Sequence, residues 1–159
     1  MHEAPLAVAL GANLSSAVGA PHDTLVAVRP LLEQAIRTWS AQQPSFSWSP
    51  LMETQPVGGP SNQPIYVNAV LLVKGLVSHP TAAAALELLE LLLALERRFG
   101  RDRAVEQRWG PRMLDLDLLF WGEMRLEHPR LVLPHPRLHL RAFVLQPLLA
   151  AMQKTQPWD

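Results

Sequence analysis

The chain has 159 residues, the size of one compact domain, so we predict a single domain over residues 1–159 with no room for a second catalytic domain. Hydrophobic residues make up 48% of the chain and charged residues 18%, a balance that predicts a packed core and excludes intrinsic disorder. The chain has no cysteine, which excludes disulfides, thiolate metal sites and cysteine nucleophiles.

The formal charges sum to zero but are unevenly distributed along the chain. Residues 96–141 carry ten arginines and no lysine, against seven acidic residues. Arginine favours planar, bidentate recognition of phosphate or carboxylate. We therefore expect a compact anion site in this half, and no nucleic-acid partner, since a nucleic-acid surface needs a basic face that acids do not dilute.

The apolar runs are too short to span a bilayer, which needs about 20 clean residues. Residues 86–95 form the longest run, and Glu87 and Glu90 interrupt it. Residues 1–10 lack the basic region and small-residue cleavage site of a signal peptide. We expect a soluble, cytoplasmic protein with no membrane partner.

The first elements in chain order are a strand, a helix and a second strand. Residues 6–10 predict a strand that runs into the turn Gly11-Ala12-Asn13. From Asp23, a candidate N-cap, apolar residues recur at helical spacing up to Trp39. Pro30 falls inside this pattern, so either the helix kinks there or Pro30 opens it. Residues 46–48 alternate aromatic and serine, which suggests an edge strand.

A proline- and glycine-rich loop over residues 54–64 separates this strand from a stronger one. In residues 65–74 the period of two places Tyr66 and Asn68 on one face, and both faces are otherwise apolar. This pattern predicts a central, covered strand. Residues 80–99 are rich in Ala, Leu and Glu and are closed by Gly100, which predicts a second helix.

The C-terminal part begins with a polar, arginine-rich connection over residues 101–112 and a buried strand over residues 113–121. Residues 125–141 are broken by prolines and precede a short helix-like run over residues 141–149. The order strand, helix, strand, strand, helix, strand predicts an α+β fold. We expect a ferredoxin-like core, a mostly antiparallel sheet covered by helices in an α/β/α sandwich.

Asp115 and Asp117 are the strongest chemical signal. In the run 114–118 the two carboxylates take one strand face and three leucines the other. Two neighbouring like charges repel unless a cation neutralises them, and Mg²⁺ prefers one or two carboxylates together with phosphate oxygens. The alternative is a polar edge strand with solvated aspartates, which the flanking apolar residues disfavour.

Arg101, Arg103, Arg108 and Arg112 precede these acids, so a cation cluster and a metal site meet at one end of the sheet. Phosphoryl transfer needs this combination: a metal to bridge phosphates, guanidinium groups to take up charge, and a loop that excludes water. For any single arginine the alternative is a solvated surface charge pair.

Tyr66 and Asn68 are candidates to bind a flat heterocycle, with the tyrosine ring as a stacking surface and the amide as a hydrogen-bonding partner. The alternative is a core tyrosine with a strand-end amide. His135 and His139 have metal-pair spacing, but Pro136 weakens the helix that would align them and the sequence suggests no third ligand. No Walker-type or Gly-x-Gly-x-x-Gly motif occurs.

Four blocks resemble those of the 6-hydroxymethyl-7,8-dihydropterin pyrophosphokinase family of folate synthesis. They are Gly-Ala-Asn-Leu at 11–14, Gln-Pro-Ile-Tyr-Val-Asn-Ala-Val at 63–70, Arg-Trp-Gly-Pro-Arg-Met-Leu-Asp-Leu-Asp at 108–117 and Leu-Pro-His-Pro-Arg at 133–137. Arg-Ala-Phe-Val-Leu at 141–145 follows the last block. The blocks come in the family's order and span nearly the whole chain.

The resemblance implies transfer of the pyrophosphoryl group of ATP to the pterin's hydroxymethyl oxygen, leaving AMP. It implies two Mg²⁺ ions held by Asp115 and Asp117, with Arg101 and Arg112 as further catalytic residues. It implies small-molecule substrates only, and we expect a monomer. Arg101 and Trp109 match a mobile lid. The residues it assigns to ATP are Glu96, Arg103, Trp109, Arg112, Arg130, His135 and Arg141. Those it assigns to the pterin are Gly11, Thr54, Pro56, Val57, Tyr66, Asn68, Asp115 and Phe143.

One departure from the family pattern is Pro136, because relatives often have an aromatic residue after the histidine that is His135 here. Two other functions compete with the family reading. The first is a metal-dependent nucleotide-sugar transferase with an Asp-x-Asp pair, which predicts UDP or GDP binding and no AMP. The second is a non-catalytic ferredoxin-like module that binds an effector and turns nothing over.

Overall fold

The computed structural model describes residues 3–55, 64–102, 111–136 and 158. Within them the chain forms two helices and seven strands. Their bounds are β1 (Leu6–Ala12), α1 (Pro21–Ser40), β2 (Ser45–Trp48), β3 (Met52–Thr54), β4 (Tyr66–Lys74), α2 (Ala82–Arg98), β5 (Asp115–Trp121), β6 (Leu126–His128) and β7 (Leu131–Leu133).

Five strands form one sheet in the order β2–β4–β1–β5, with β3 also paired to β4. All the pairings in the described part of this sheet are antiparallel. β4 is central and β2 lies at an edge, so both predictions are confirmed. The element order is that of a ferredoxin-like core in which β2 and β3 share the second strand position, and the predicted α+β class is confirmed.

The two faces of the sheet bury different side chains. Both helices pack on one face, where their apolar residues meet alternate residues of the strands. This core includes Leu25, Leu32, Leu88 and Leu92 of the helices and Val8, Leu10, Leu71, Leu116 and Leu118 of the strands. The opposite face buries a smaller cluster, formed by Ala7, Ala9, Val70, Leu72 and Leu119. The helix-side core anchors the strands, which leaves the ends of the opposite face available for chemistry.

α1 begins at Pro21, and Ala20 is its N-cap, so the prediction that Asp23 caps the helix is wrong. Asp23 lies at the third helical position, where its Oδ2 accepts a hydrogen bond from the Ala20 backbone N at 3.2 Å. The helix continues through Pro30 instead of opening there. Packing compensates for the hydrogen bond that proline lacks, because four apolar side chains are fully buried: Leu25, Val28, Leu32 and Ile36.

The loop predicted from residue 54 begins later, because Thr54 is the last residue of β3. Ser49 separates β2 from β3 and is fully buried. Its backbone N donates to the Val70 carbonyl at 2.9 Å, and its Oγ accepts from the Val70 N at 2.9 Å. The serine hydroxyl thus replaces a carbonyl of the ladder, and β4 keeps its hydrogen bonds across the break.

Residues 125–141 were predicted only as a proline-broken tail, and the described part, residues 125–136, instead contains two strands. β6 and β7 form an antiparallel hairpin, with Leu126 opposite Leu133. Pro129 and Arg130 lie in the turn, where proline costs no ladder hydrogen bond. Leu133 is buried in the helix-side core, which fixes the hairpin to the domain.

α2 agrees with its prediction to within two residues at each end. Thr81 is the N-cap, and its hydroxyl accepts a hydrogen bond from the Ala84 N at 3.1 Å. Gly100 follows the helix with φ of +97°, a conformation that favours glycine. Neither described helix has the length and hydropathy needed to cross a membrane. The helix predicted over residues 141–149 lies outside the described residues.

Trp158 packs against the edge of the sheet beside β2. Its Nε1 donates to the Ser49 carbonyl at 2.7 Å, and its ring meets that of Trp48 edge-on, with centroids 4.9 Å apart. The Arg29 guanidinium carbon lies 4.7 Å from the Trp158 ring centroid and 4.9 Å from that of Trp48. Burial lowers the pKa of Arg29, and the charge of Glu33 partly offsets this effect. Residue 158 is thereby tied to α1 and β2.

Candidate active site

The predicted site residues converge on the sheet face away from the helices. In the register of β1, Gly11 pairs with Asn68 of β4 on one side and with Asp115 of β5 on the other. Ala9 likewise pairs with Val70 and Asp117. Since Ala9 and Val70 are buried in the smaller cluster, the alternation of side chains places Asn68 and both aspartates on that same face.

Gly11 is a buried residue without a side chain between Asn68 and Asp115. Their strands are two strand spacings apart, or roughly 10 Å. A Cβ on Gly11 would lie 3.2 Å from the Asn68 Oδ1 and 3.8 Å from Cδ1 of Tyr66. Glycine therefore keeps the floor between the amide and the acid free of side chain, which suits a flat ring.

Two neighbours orient the Asn68 amide, which is 8% exposed. Its Nδ2 donates to the Thr54 Oγ1 at 2.6 Å and approaches the Met52 carbonyl at 3.5 Å. Thr54 pairs with Tyr66 in the β3–β4 register. Thus Thr54, Tyr66, Asn68 and Gly11, which the resemblance assigns to one pocket, are neighbours in the structure.

A buried charge network holds the start of β5 against the end of α2. The Arg101 Nη1 donates to the Asp115 Oδ1 at 2.8 Å and to the Leu114 carbonyl at 3.0 Å, and lies 3.1 Å from the Glu96 Oε2. The same Glu96 oxygen accepts a hydrogen bond from the Leu116 N at 2.8 Å. The Arg101 and Glu96 side chains are 3% and 2% exposed, against 31% for Asp115. The Asp115 side chain is therefore partly exposed, while the buried Arg101 guanidinium fixes its position.

Arg101, which the resemblance groups with a mobile lid, lies one residue after Gly100 and is buried between Glu96 and Asp115. Removing it from this position would leave two acidic groups without their shared cation, which is costly in a buried site. The assignment of Arg101 to a lid stays a prediction, and residues 103–110 lie outside the described part of the chain.

Asp115 and Asp117 supply hard oxygen ligands from alternate residues of one strand, with Cα atoms roughly 7 Å apart. Within the described ranges, no group of three or more His, Asp or Glu side chains is placed to hold a metal ion. Two carboxylates completed by substrate oxygens match the preference of Mg²⁺ and do not match a closed structural metal site. The residues present fit magnesium.

The remaining predicted residues are more scattered. The backbone N of His135 donates to the Leu119 carbonyl at 2.7 Å, so His135 lies beside β5, near Asp117. Arg130 lies in the β6–β7 turn and forms an exposed ion pair with Glu90 of α2. Roughly 9 Å of helix separates Glu90 from Glu96, so this pair is not part of the buried network. Eight candidate residues lie outside the described ranges: Pro56, Val57, Arg103, Arg108, Trp109, His139, Arg141 and Phe143.

Arg112 contributes its backbone to the site's framework. Its N donates to the Asn13 Oδ1 at 2.8 Å, and its Nη1 donates to the Pro111 carbonyl at 3.2 Å. Asn13 itself was predicted only as the end of a turn, and its role was missed. The signal available in the sequence was an amide directly after the strand that carries Gly11, but only its burial, at 2% exposure, distinguishes it from an ordinary turn residue.

A cavity of about 490 Å³ opens near the start of α1, with His22, Glu53 and Ile65 among the residues that line it. Its lining includes none of the predicted site residues that the structure describes. Gly11, Asn68 and Asp115 are not among the residues that line this cavity.

The chain is similar to known proteins of one family. Residues 7–153 match the family model of 7,8-dihydro-6-hydroxymethylpterin-pyrophosphokinase. The 2-amino-4-hydroxy-6-hydroxymethyldihydropteridine pyrophosphokinase of Pseudomonas aeruginosa is 40% identical over 141 residues, which cover 89% of this chain and 76% of that protein. The protein of the same name from Synechocystis sp. is 48% identical over 86 residues, covering 54% of this chain and 40% of that protein.

A third relative is larger than this chain. The mitochondrial folate synthesis bifunctional protein of Arabidopsis thaliana is 45% identical over 99 residues, which cover 62% of this chain and 16% of that protein. Since the family model spans nearly the whole chain and the Pseudomonas relative aligns over most of both sequences, the chain belongs to the 7,8-dihydro-6-hydroxymethylpterin-pyrophosphokinase family.

Proposed function

We infer that this chain is an ATP-dependent pyrophosphokinase of folate synthesis. It transfers the pyrophosphoryl group of ATP to the hydroxymethyl oxygen of 6-hydroxymethyl-7,8-dihydropterin and releases AMP. The observation that supports this most directly is the register that pairs Gly11 with Asn68 and with Asp115. This register places the Asn68 amide, a hydrogen-bonding partner for the pterin ring, and the carboxylates of Asp115 and Asp117 on one sheet face, roughly 10 Å apart.

The pterin ring lies over Gly11, next to Tyr66. The Asn68 Nδ2 is already bonded to Thr54, which aims the Oδ1 of the same amide toward the space above Gly11. An amide oxygen accepts hydrogen bonds from ring N–H groups, and an aromatic ring supplies a stacking surface. Pro56, Val57 and Phe143 complete the pocket by the family resemblance.

Asp115 and Asp117 would hold two Mg²⁺ ions, with substrate oxygens completing their coordination. The metal would supply electrostatic stabilisation of the charge that develops during transfer. The chain's own contribution is preorganisation, because Arg101 and Glu96 fix Asp115 before substrate arrives. Arg112 is a second cation beside this site, and Glu96, Arg103, Trp109, Arg130, His135 and Arg141 serve the ATP side.

The reaction is an in-line displacement at the β-phosphorus. A bond forms between the hydroxymethyl oxygen and this phosphorus, while the bond from the phosphorus to the α,β-bridging oxygen breaks. AMP leaves with the electron pair, and the hydroxymethyl proton passes to solvent or to a phosphate oxygen. Because both half-sites come from one sheet of one chain, we propose that the chain acts as a single-domain monomer. We also propose that it has small-molecule substrates only and acts in the cytoplasm.

The experiment that tests this proposal is incubation of the purified protein with ATP, Mg²⁺ and 6-hydroxymethyl-7,8-dihydropterin. We expect AMP and the pterin diphosphate in equal amounts, and none of either after chelation of the metal. Turnover of a nucleotide-sugar without AMP would identify the rival transferase. Binding of the pterin with no product would identify the non-catalytic module.

Asp117→Asn is the sharper of the two aspartate variants, since Asp115 also holds the buried Arg101 and its loss affects folding. We expect Asp117→Asn to lower kcat at least 100-fold while the circular dichroism spectrum stays that of the wild type. Glu127→Gln, on the exposed side of β6, is the matched control and keeps normal turnover. Near-normal turnover of Asp117→Asn would overturn the metal assignment.

A further inference from the structure

We propose that Asn13 is a positioning residue that fixes the ring-binding half of the site relative to the phosphate-binding half. The inference rests on the proposed function, which supplies those two halves. Asn13 follows the last residue of β1 and is 2% exposed. β1 lies between β4 and β5, so a residue at its end is the shortest link between the strands that carry the two halves.

One set of hydrogen bonds joins Asn13 to the approach to β5. The Asn13 Oδ1 accepts from the Arg112 N at 2.8 Å, and the Asn13 N donates to the Arg112 carbonyl at 2.9 Å. The Leu14 N donates to the same carbonyl at 3.0 Å. Arg112 precedes the first β1–β5 pair, Gly11 with Asp115, so the ladder alone does not hold it.

A second hydrogen bond joins the same side chain to the approach to β4. The Asn13 Nδ2 donates to the Pro64 carbonyl at 3.1 Å. The last β1–β4 pair is Ala12 with Val67, so Tyr66 also lies beyond that ladder. Asn13 thus extends the hydrogen bonding of β1 past both ladders and constrains the segments next to Tyr66 and Arg112.

Only an amide of this length satisfies both partners. The Arg112 N is a donor and the Pro64 carbonyl is an acceptor, so the orientation of the Asn13 amide follows from its neighbours. Aspartate accepts from Arg112 but places a carboxylate against a carbonyl oxygen. Alanine leaves the part-buried Arg112 N–H and the Pro64 carbonyl without this partner.

The consequence for catalysis is geometric. The ring and the triphosphate bind to different strands, and the attacking oxygen has to meet the β-phosphorus in line. A displacement of about 1 Å between the two halves costs roughly 100-fold in rate, even when each half still binds its own substrate. Losing Asn13 therefore lowers kcat more than it changes either KM.

The test compares Asn13→Ala with Ser49→Ala in steady-state assays, with rates expressed per folded enzyme from urea unfolding curves. Ser49 is an equally buried residue whose hydroxyl also accepts a backbone N–H. However, its backbone N and hydroxyl join it to Val70 within β4 and not to the segments next to Tyr66 and Arg112. For Asn13→Ala we expect kcat to fall about 100-fold with both KM values within threefold of the wild type. For Ser49→Ala we expect lower stability and an unchanged kcat.

If Asn13→Ala does not fold, Asn13→Asp provides a second comparison, because it keeps the acceptor for Arg112 and replaces the donor to Pro64 by a carboxylate oxygen. The expected result is again a fall in kcat, at least tenfold, per folded enzyme. A kcat within threefold of the wild type in the folded variant, or a rise in KM with kcat unchanged, would overturn the inference. An inactive wild-type protein would instead overturn the proposed function, so the two failures are distinguishable.

Discussion

Glu96→Gln removes one negative charge from the buried network that joins α2 to β5. The Glu96 Oε2 lies 3.1 Å from the Arg101 Nη1 and accepts from the Leu116 N at 2.8 Å. Glutamine has nearly the same shape and keeps an acceptor for Leu116, so the substitution tests charge with little change in volume. Arg101 keeps Asp115 as a counter-ion.

The magnitude follows from the burial of the pair. Breaking a buried ion pair costs about 3–5 kcal/mol, and a hydrogen bond to a charged group contributes about 1.5–3 kcal/mol. Because Asp115 still neutralises Arg101, we expect less than the cost of a fully broken pair, about 2–3 kcal/mol of unfolding free energy. For a chain of this size that corresponds to a fall in Tm of roughly 4–12 °C.

Urea unfolding followed by tryptophan fluorescence measures the change, and an unchanged m-value shows that the unfolding reaction is the same. Glu90→Gln is the matched control on the same helix, since its pair with Arg130 is about half exposed. It should cost at most about 1 kcal/mol. The difference between the variants should persist in 1 M salt, which screens exposed charges more than buried ones. Equal losses in the two variants would refute the argument.

Two further predictions concern the pocket floor and the C-terminal tryptophan. Gly11→Ala places a Cβ 3.2 Å from the Asn68 Oδ1, so we expect the KM for the pterin to rise about tenfold while the KM for ATP stays unchanged; equal effects on both substrates would contradict the assignment of this surface to the ring. Trp158→Ala removes a hydrogen bond, an aromatic contact and a cation–π contact, which together predict a loss of about 2–4 kcal/mol in urea unfolding. Trp158→Phe should recover part of this loss, and an unshifted midpoint for the alanine variant would show that the contact contributes nothing.

Local patterns in the sequence were sufficient for β4, α2 and β5 and for the direction of the strand side chains. The alternation in residues 114–118 places both aspartates on one face, because successive side chains of a strand point to opposite faces regardless of what lies next to the strand. Thr81 and Gly100 mark the ends of α2 for equally local reasons. The family resemblance added the roles that these patterns could not distinguish.

Where local signals compete, the sequence was less reliable. The sequence left open whether Pro30 kinks α1 or opens it, and the buried apolar stripe of α1 carries the helix through it, which excludes a start at Pro30. The prolines of residues 125–141 predicted a broken tail, but Pro129 lies in the turn of a hairpin. In both cases packing against the rest of the chain decided the outcome, and a short window of sequence contains no information about that packing.

The tertiary structure alone decided how the site is assembled. That β1 lies between β4 and β5, and that Gly11 faces both Asn68 and Asp115, depends on the pairing of segments far apart in the chain. Arg101 shows the same limit, because the sequence places it in a polar loop while Glu96 and Asp115 draw it into a buried network. Strand alternation is a property of the backbone at each residue. Register and burial are properties of the whole chain, set where the largest number of apolar groups and backbone hydrogen bonds are satisfied together.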